Sequence, residues 1–518
     1  MITLTPKTLS PFSFLCNPIP KHQNQNSKYT IVTQYSDSNS KPTFNSNCES
    51  EFQTERGLKF DIGETFFRHE SATGRDLGVL AAALYKRSKG KLRVLDALCG
   101  CGIRSLRYLI EAEADFVLAN DANDDNRKVI TENLSQVESS SGDDPRWAVT
   151  LSDANRIMTE CYLKRDFFDL IDIDSFGSDS SFLRSAINAL KLDGLLYVTS
   201  TDGFSSGGRR PQQTLAAYGA YVRPMPYSNE LGLRMLIGGA VRVASVLGYR
   251  VTPLFSYYSY HGPIFRVMLR VNRGKLPDNR NYGFISYCHN CGSSQEYSWA
   301  ELGRMSCPCS DSKVQGCVSS LKLALIHVVV SKSLVVSGPL WTGPLHDTLY
   351  ITEMLHLAEE WGWAGSGSGT DLDKLLNQMV AESDPRLPFG YTKLDEVASR
   401  AKVNSPPLRA VMSTLEKVFP HNSLWQSILL GLANGPKIGH MSVVHVQQLG
   451  VWGAWGACWS ILGAAGYECM VDNWSSRSCW EGYAVSRSHI ESNAIKTNCS
   501  MAGCIRIAKQ LQQCSSAE

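Results

Sequence analysis

The stretch Val94-Leu-Asp-Ala-Leu-Cys-Gly-Cys-Gly-Ile-Arg-Ser-Leu-Arg107 constrains the fold more than any other part of the chain. Val94 and Leu95 read as the end of a buried strand, Gly100 and Gly102 break it, and Ile103 to Glu111 resume with helical spacing. A strand, a tight glycine turn and a helix in that order let a ligand approach the backbone. Phe116 to Ala119 reads as a second strand ending in Asn120-Asp121, an acid about 20 residues past the glycines, where a doubly wound sheet places the carboxylate that holds ribose hydroxyls. The expected ligand carries a ribose.

Two such ligands compete. A dinucleotide turn requires Gly-x-Gly-x-x-Gly, but Ser105 stands at the third glycine position, and Arg104 lies beside the turn, where it could meet a carboxylate. S-adenosylmethionine, whose amino-acid end carries a carboxylate, fits better.

The rest of the chain supports an open α/β sheet. Arg75 to Tyr85 is an apolar-periodic helix preceding the glycine strand. A third strand, Ala148 to Leu151, ends at Ser152-Asp153-Ala154, and a fourth, Phe168 to Ile173, ends at Asp174-Ser-Phe-Gly177. Ligands lie beyond the carboxyl ends of such strands, so Gly100, Gly102, Asp121, Asp153 and Asp174 are expected along one crevice. Gly194 to Asp202 reads as another strand ending in an acid, followed by the loop Ser205-Ser-Gly-Gly-Arg-Arg210, whose Arg209 and Arg210 are candidate phosphate contacts. The helix Asn229 to Ile237 and the strand Phe265 to Val271 close this part.

Cys288-x-x-Cys291 and Cys307-Pro-Cys309 follow, with Cys317 nearby. Paired thiols on short loops suit a tetrahedral Zn²⁺ that staples a small insertion, and four sulfurs leave no open position for catalysis. Because neighbours in Cys-x-Cys chelate under strain, Cys317 is an alternative to Cys309. No secretory signal precedes the 16 cysteines, which argues for a reducing compartment and against a disulfide framework. Gly338 to Asp347 is turn-rich and reads as an interdomain loop; Glu353 to Trp361 reads as a helix, Gly365 to Gly369 as a flexible linker, and Tyr391 to Leu415 as helices of a second unit. Between Lys437 and Glu468 no Asp, Glu, Lys or Arg occurs, but the glycines, His440, His445 and the lack of flanking basic clusters argue against a membrane span.

Length and charge set the outer bounds. At 518 residues the chain has room for two or three domains, and a net charge of +2 leaves any nucleic-acid contact to local patches. Residues 1 to about 55 are rich in Ser, Thr, Asn and Pro, contain Lys7, Lys21 and Lys28 but no acid before Asp37 and no Arg, and read as a disordered transit peptide. The missing Arg favours a chloroplast over a mitochondrion.

Taken in order, Asp96-Ala-Leu-Cys-Gly-Cys-Gly-Ile-Arg-Ser-Leu-Arg-Tyr108, Asn120-Asp-Ala-Asn123, Asp172-Ile-Asp-Ser-Phe-Gly177, Tyr218-Gly219, Glu230-Leu-Gly-Leu-Arg234, Gly338-Pro-Leu-Trp341, Arg487-Ser-His489 and Ile495-Lys-Thr497 resemble the tRNA (guanine-26, N2) dimethyltransferase family. The match covers most of residues 60 to 420 and again 481 to 500. The resemblance implies an α/β fold: a class I, Rossmann-like methyltransferase domain with a zinc-stapled insertion and a smaller α+β C-terminal domain. The divisions expected are 1–55 for the transit peptide, 56–275 for the S-adenosylmethionine-dependent domain, 276–346 for the zinc-binding segment and interdomain loop, and 347–518 for the tRNA-binding domain, with an unusual low-charge insertion near 424–480.

The resemblance also implies roles. Arg75 and Arg104 would hold the carboxylate region of S-adenosyl-L-methionine, Asp121 its ribose, and Asp153 with Ala154 its adenine end. Asp174 would be catalytic, with Asp172 two residues earlier on the same face of the strand as a supporting acid. Phe176 would stack on a base extruded from tRNA, with Arg209 and Arg210 as further substrate contacts. The expected partner is tRNA; neither a membrane nor an obligate protein partner is expected. Ser175 departs from the family's Asp-Pro-Phe-Gly, and Phe66-Phe67-Arg68-His69 from its Phe-Tyr-Asn-Pro, which keeps a second reading open: a catalytically weakened tRNA-binding protein of the same fold.

Overall fold

A computed structural model describes residues 52–137, 145–274, 280–307, 309, 333–365, 371–416 and 483–515. The first 51 residues, Cys317 and the low-charge stretch 424–480 lie outside the described residues.

In chain order, a hairpin of β1 (Phe52–Glu55) and β2 (Leu58–Asp61) precedes α1 (Ala72–Lys89). Then β3 (Arg93–Asp96), α2 (Ile103–Ile110), β4 (Phe116–Asp121), α3 (Arg127–Leu134), β5 (Trp147–Leu151), α4 (Ala154–Lys164), β6 (Phe168–Asp174), α5 (Leu183–Ala189) and β7 (Leu190–Ser200) alternate. Two short helices, α6 (Gly203–Ser206) and α7 (Pro211–Tyr218), lead to α8 (Ser228–Val246), β8 (Tyr249–Ser259) and β9 (Ile264–Arg273).

Seven strands form one sheet in the order β5-β4-β3-β6-β7-β9-β8. The first five are mutually parallel, whereas β9 runs antiparallel to both β7 and β8. Parallel strands are covered on both faces, so their sequences are apolar on both sides. In β6, Leu170 joins Val94, Val117 and Tyr197 under α1, α2 and α3, while Ile171 and Ile173 join Leu95, Leu118 and Val198 under α4, α5 and α8. Three layers result, and the chain reverses direction across the sheet between β3 and β6. Among the described residues no helix is long and apolar enough to cross a membrane.

A second sheet, β11-β10-β12, combines β10 (Tyr282–Cys288), β11 (Ser294–Tyr297) and β12 (Leu334–Trp341). This corrects the expected interdomain loop, because Gly338 to Trp341 belong to a strand. Turn-type residues tolerate a strand here because the pairing skips from Ile285↔Ser337 to Gly283↔Leu340, bulging out Gly338 and Pro339. Gly338 has φ +142°, and an added Cβ would lie 2.8 Å from the Gly283 carbonyl oxygen. Strand β8 went unread in the sequence, and β7 stops at Ser200 rather than Asp202, which instead caps α6 by accepting from Ser205 N.

The C-terminal portion begins with α9 (Thr348–Glu360), which packs on α1, and α10 (Asp371–Glu382), which packs on α9. A third sheet of β13 (Thr392–Lys393), β15 (Ala494–Thr497) and β14 (Val485–Arg487) follows. Its Ile495 packs with Leu394 and Val397 of α11 (Leu394–Ala401), Val411 and Leu415 of α12 (Leu408–Glu416), and Cys504 of α13 (Met501–Ser515).

A candidate active site at the reversal point of the sheet

The carboxyl ends of β3 and β6 open into a cavity of about 650 Å³ lined by Arg75, Gly100, Arg104, Asp121, Asp174, Phe176 and Arg266 among others. A crevice is topologically required here, because the connections leave the sheet in opposite directions and cannot cover the ends between them.

One half is an open glycine turn beside a fixed carboxylate. Gly100 and Gly102 hold φ of +56° and +83°, conformations that side chains rarely adopt, and nothing lies within 4 Å of where a Cβ on Gly100 would sit. The Gly100 N–H donates to Asp121 Oδ2 at 3.0 Å, while Oδ1 accepts from Asn123 N at 2.9 Å and Asn126 Nδ2 at 3.1 Å. Asp121 is thereby fixed with its carboxylate on the cavity wall. Arg75 is buried, and its Nε and Nη2 are bonded to Glu55 and to the Arg68 carbonyl. Nη1 takes part in none of these bonds.

The other half is a charge cluster. Arg104 donates to Asp172 at 2.7 Å and to Asp174 at 2.6 Å, and Tyr108 adds a bond to Asp172 at 2.7 Å. Arg266 Nη1 lies 3.6 Å from Asp174 Oδ1. Burial raises the Asp174 pKa, but Arg104 and Arg266 outweigh it and hold the carboxyl down at about 2. The β-strand period puts Asp172 and Asp174 on one face, as expected, with Asp172 fully buried and Asp174 29% exposed to the cavity. Asp96, behind them, accepts from Ser105 Oγ at 2.7 Å; burial first and then Asp172 push its pKa up to about 8.

Phe176 is 74% exposed at the cavity mouth, edge-on to the 62% exposed Phe66 at 5.2 Å between ring centroids. Between Asp174 and Phe176, Ser175 donates its hydroxyl to the Thr199 carbonyl at 2.9 Å. The same turn is tied by Gly177 N to Thr201 Oγ1 at 2.7 Å and Thr201 N to Gly177 O at 2.8 Å. Without proline, cross-strand hydrogen bonds hold the turn.

Other candidates lie elsewhere. Asp153 caps α4 by accepting from Arg156 N at 3.0 Å, and neither it nor Ala154 lines the cavity, since β5 is the outer strand. Arg209 and Arg210 are exposed beyond the lining; Arg210 stacks over Phe204 at 4.5 Å from its centroid. Arg104 reaches carboxylates of its own chain, which differs from the expected contact to a ligand carboxylate. Arg266 went unread, although a cation inside the apolar strand Phe265 to Val271 signals a buried partner.

Two further clusters are separate from the cavity. The sulfurs of Cys288, Cys291, Cys307 and Cys309 all lie within 4.8 Å of one another, with Cys288–Cys309 at 3.6 Å and Cys291–Cys307 at 3.3 Å. Tetrahedral Zn²⁺ with bonds of about 2.3 Å requires sulfurs about 3.8 Å apart, so the set fits with small adjustments. His346, Glu382 and His489 also converge, but Lys496 lies 3.5 Å from Glu382 and 2.8 Å from Glu230, itself paired with Arg234 at 2.8 Å. Two cations already balance the two carboxylates, so this is a buried ionic latch between α8, α10 and β15.

A family model described as N2,N2-dimethylguanosine tRNA methyltransferase matches residues 49–423. A tRNA (guanine(26)-N(2))-dimethyltransferase of Metallosphaera sedula is 30% identical over 371 residues, covering 71% of this chain and 85% of that protein. One of Saccharolobus solfataricus is 28% identical over 365 residues, covering 69% and 85%. In structure, the chain is similar to Trm1 from Pyrococcus horikoshii, solved with S-adenosyl-L-methionine, with a TM-score of 0.60 at 21% identity over 88% of this chain and 99% of that one.

Proposed function

The chain belongs to the N2,N2-dimethylguanosine tRNA methyltransferase family, and from that premise we propose how its own residues transfer methyl groups from S-adenosylmethionine to the exocyclic N2 of a guanine in tRNA, at position 26 as the relatives' names specify. The observation that carries the proposal is the bridge from Arg104 to Asp172 and Asp174 at the cavity wall, beside an exposed phenylalanine.

The residues present fit the methyl donor: an open glycine turn, an anchored Asp121 for ribose hydroxyls, and Arg75 with Nη1 outside its internal bonds for the carboxylate. When bound, S-adenosylmethionine supplies an electrophilic methyl group on a sulfonium. Guanine N2 is a poor nucleophile because its lone pair is delocalised into the ring. Asp174 accepts a hydrogen bond from the amine, favouring a pyramidal nitrogen with a localised lone pair. The clamp by Arg104 and Arg266 keeps Asp174 ionised and aimed. After transfer the nitrogen is cationic and far more acidic than a carboxylic acid, so even a carboxylate held near pKa 2 takes its proton. Asp172 anchors Arg104, and Phe176 stacks on the extruded guanine. Incubating an unmodified tRNA transcript with the full chain and labelled S-adenosylmethionine, then identifying the modified nucleoside by mass spectrometry, tests this; a transcript left without N2-methylguanosine would refute it.

In the same reading, the four cysteines hold one structural Zn²⁺ that fixes the turn after β10. The Ser-, Asn- and Pro-rich residues ahead of β1 direct the protein to a chloroplast, with the mitochondrion as the alternative; the segment ends before Phe52 and not at the expected residue 55, because Phe52–Glu55 pairs with β2 and Glu55 is buried against Arg75 and Arg107. Its composition supports this reading, and a fluorescent fusion of that segment tests it.

A further inference from the structure

Four aromatic side chains are strongly exposed on segments bordering the cavity: Phe176, Phe66, Tyr260 at 77% and Phe204 at 50%. Phe176 and Phe66 belong to the wall already described. Tyr260 does not, and the reaction as derived gives it no task. It sits on the turn between β8 and β9, whose next residues, Gly262 and Pro263, line the cavity. On one side this turn meets the Phe66–Arg68 segment, since an added Cβ on Gly262 would lie 3.5 Å from Arg68 Nη1. On the other it packs on α6, where an added Cβ on Gly203 would lie 2.6 Å from Pro263.

A single exposed ring is ordinary, but several exposed rings gathered around one cavity mark an interaction surface. Three carry a polar companion on the ring face: His261 at 3.9 Å from Tyr260, Arg68 at 4.9 Å from Phe66, and Arg210 at 4.5 Å from Phe204. A guanidinium or imidazole on each ring disfavours an apolar protein or lipid partner. It suits unpaired nucleotides, which present a π face and a phosphate together.

We propose that Tyr260, backed by His261, is a stacking platform for the nucleotide next to the target guanine in the RNA strand, and that Phe204 under Arg210 continues the track. Pulling one guanine out of a helix removes a stacking surface from its neighbour. Tyr260 replaces that surface and so stabilises the opened strand. This rests on the methyltransferase reading for the identity of the extruded base, but not on catalysis itself.

The test uses the full chain with tRNA transcripts carrying 2-aminopurine on either side of the target guanine. With wild type, one of the two probes stays dim because it is stacked; with Tyr260→Ala it becomes bright, and Tyr260→Phe restores the dim state. In parallel, Tyr260→Ala raises the KM for tRNA about tenfold or more, with kcat and cofactor affinity unchanged. Equal fluorescence and equal KM for wild type and Tyr260→Ala would overturn the proposal. A wild-type protein that shows the fluorescence difference but transfers no methyl group would overturn the catalytic reading and leave the platform standing.

Discussion

Arg104 places one guanidinium nitrogen 2.7 Å from Asp172 and the other 2.6 Å from Asp174. The arginine from the helix after the glycine turn therefore aims the carboxylates at the end of β6 and couples the two halves of the crevice. Asp174→Asn should lower the rate of methyl transfer by about 10²- to 10⁴-fold while cofactor affinity, measured by calorimetry, stays near wild type, because the amide keeps the size but cannot take the proton. With its folded pKa held at about 2, Asp174 is ionised throughout the neutral and mildly acidic range, so its charge remains from pH 8 down to pH 5. A rate that falls with an apparent pKa near 4 assignable to Asp174 would contradict the clamp.

Arg104→Lys separates the clamp from the charge. A single ammonium cannot serve both carboxylates in the planar fork geometry of arginine, so the expected result is a loss in kcat larger than the rise in KM for tRNA. Steady-state kinetics with the cofactor saturating gives the answer; a variant as fast as wild type would remove the positioning role.

Ser175, where the resemblance led to an expectation of proline, donates its hydroxyl to the Thr199 carbonyl. Ser175→Ala deletes that buried bond and should cost about 1 kcal/mol in urea unfolding, together with slower methyl transfer. Unchanged stability and rate would mean that the bonds at Gly177 and Thr201 hold the turn alone.

Asp96 gives a pH signature. Its pKa is raised by burial and by Asp172, so the folded state keeps a proton that the unfolded state loses; its contribution is full below about pH 4 and is lost as pH rises through about 8. Asp96→Asn removes that titration, and the loss of stability between pH 6 and pH 8 should be smaller in the variant than in wild type by urea melts. Parallel curves would refute the assignment.

Two structural clusters make independent predictions. Purified protein should carry about one zinc per chain by elemental analysis, and Cys307→Ser should abolish it. Lys496→Ala leaves Glu230 and Glu382 buried without their shared ammonium, and should destabilise the chain by about 3–5 kcal/mol, read by denaturant unfolding.

From sequence alone, the strand–turn–helix at Val94 to Arg107, the acid at Asp121 and the paired acids at Asp172 and Asp174 were legible. Each is a local pattern: glycines where side chains cannot follow the backbone, a period of two along a strand, and a strand that ends in a charge. The four-cysteine set was legible for the same reason. What the sequence could not supply was which strand ends share a crevice. Asp153 satisfies the same local rule as Asp121, but it follows β5, the outermost strand, and accepts from Arg156 N at the start of α4, a position set by non-local strand pairing. The partner of Arg104 also depends on a contact across 70 residues, and the encounter of Arg266 with Asp174 on one between still more distant positions. Gly338-Pro339 reads as a loop by composition and becomes a bulged strand only because β10 is there to pair with it. Local chemistry named the candidate groups; long-range packing of the sheet chose which of them meet.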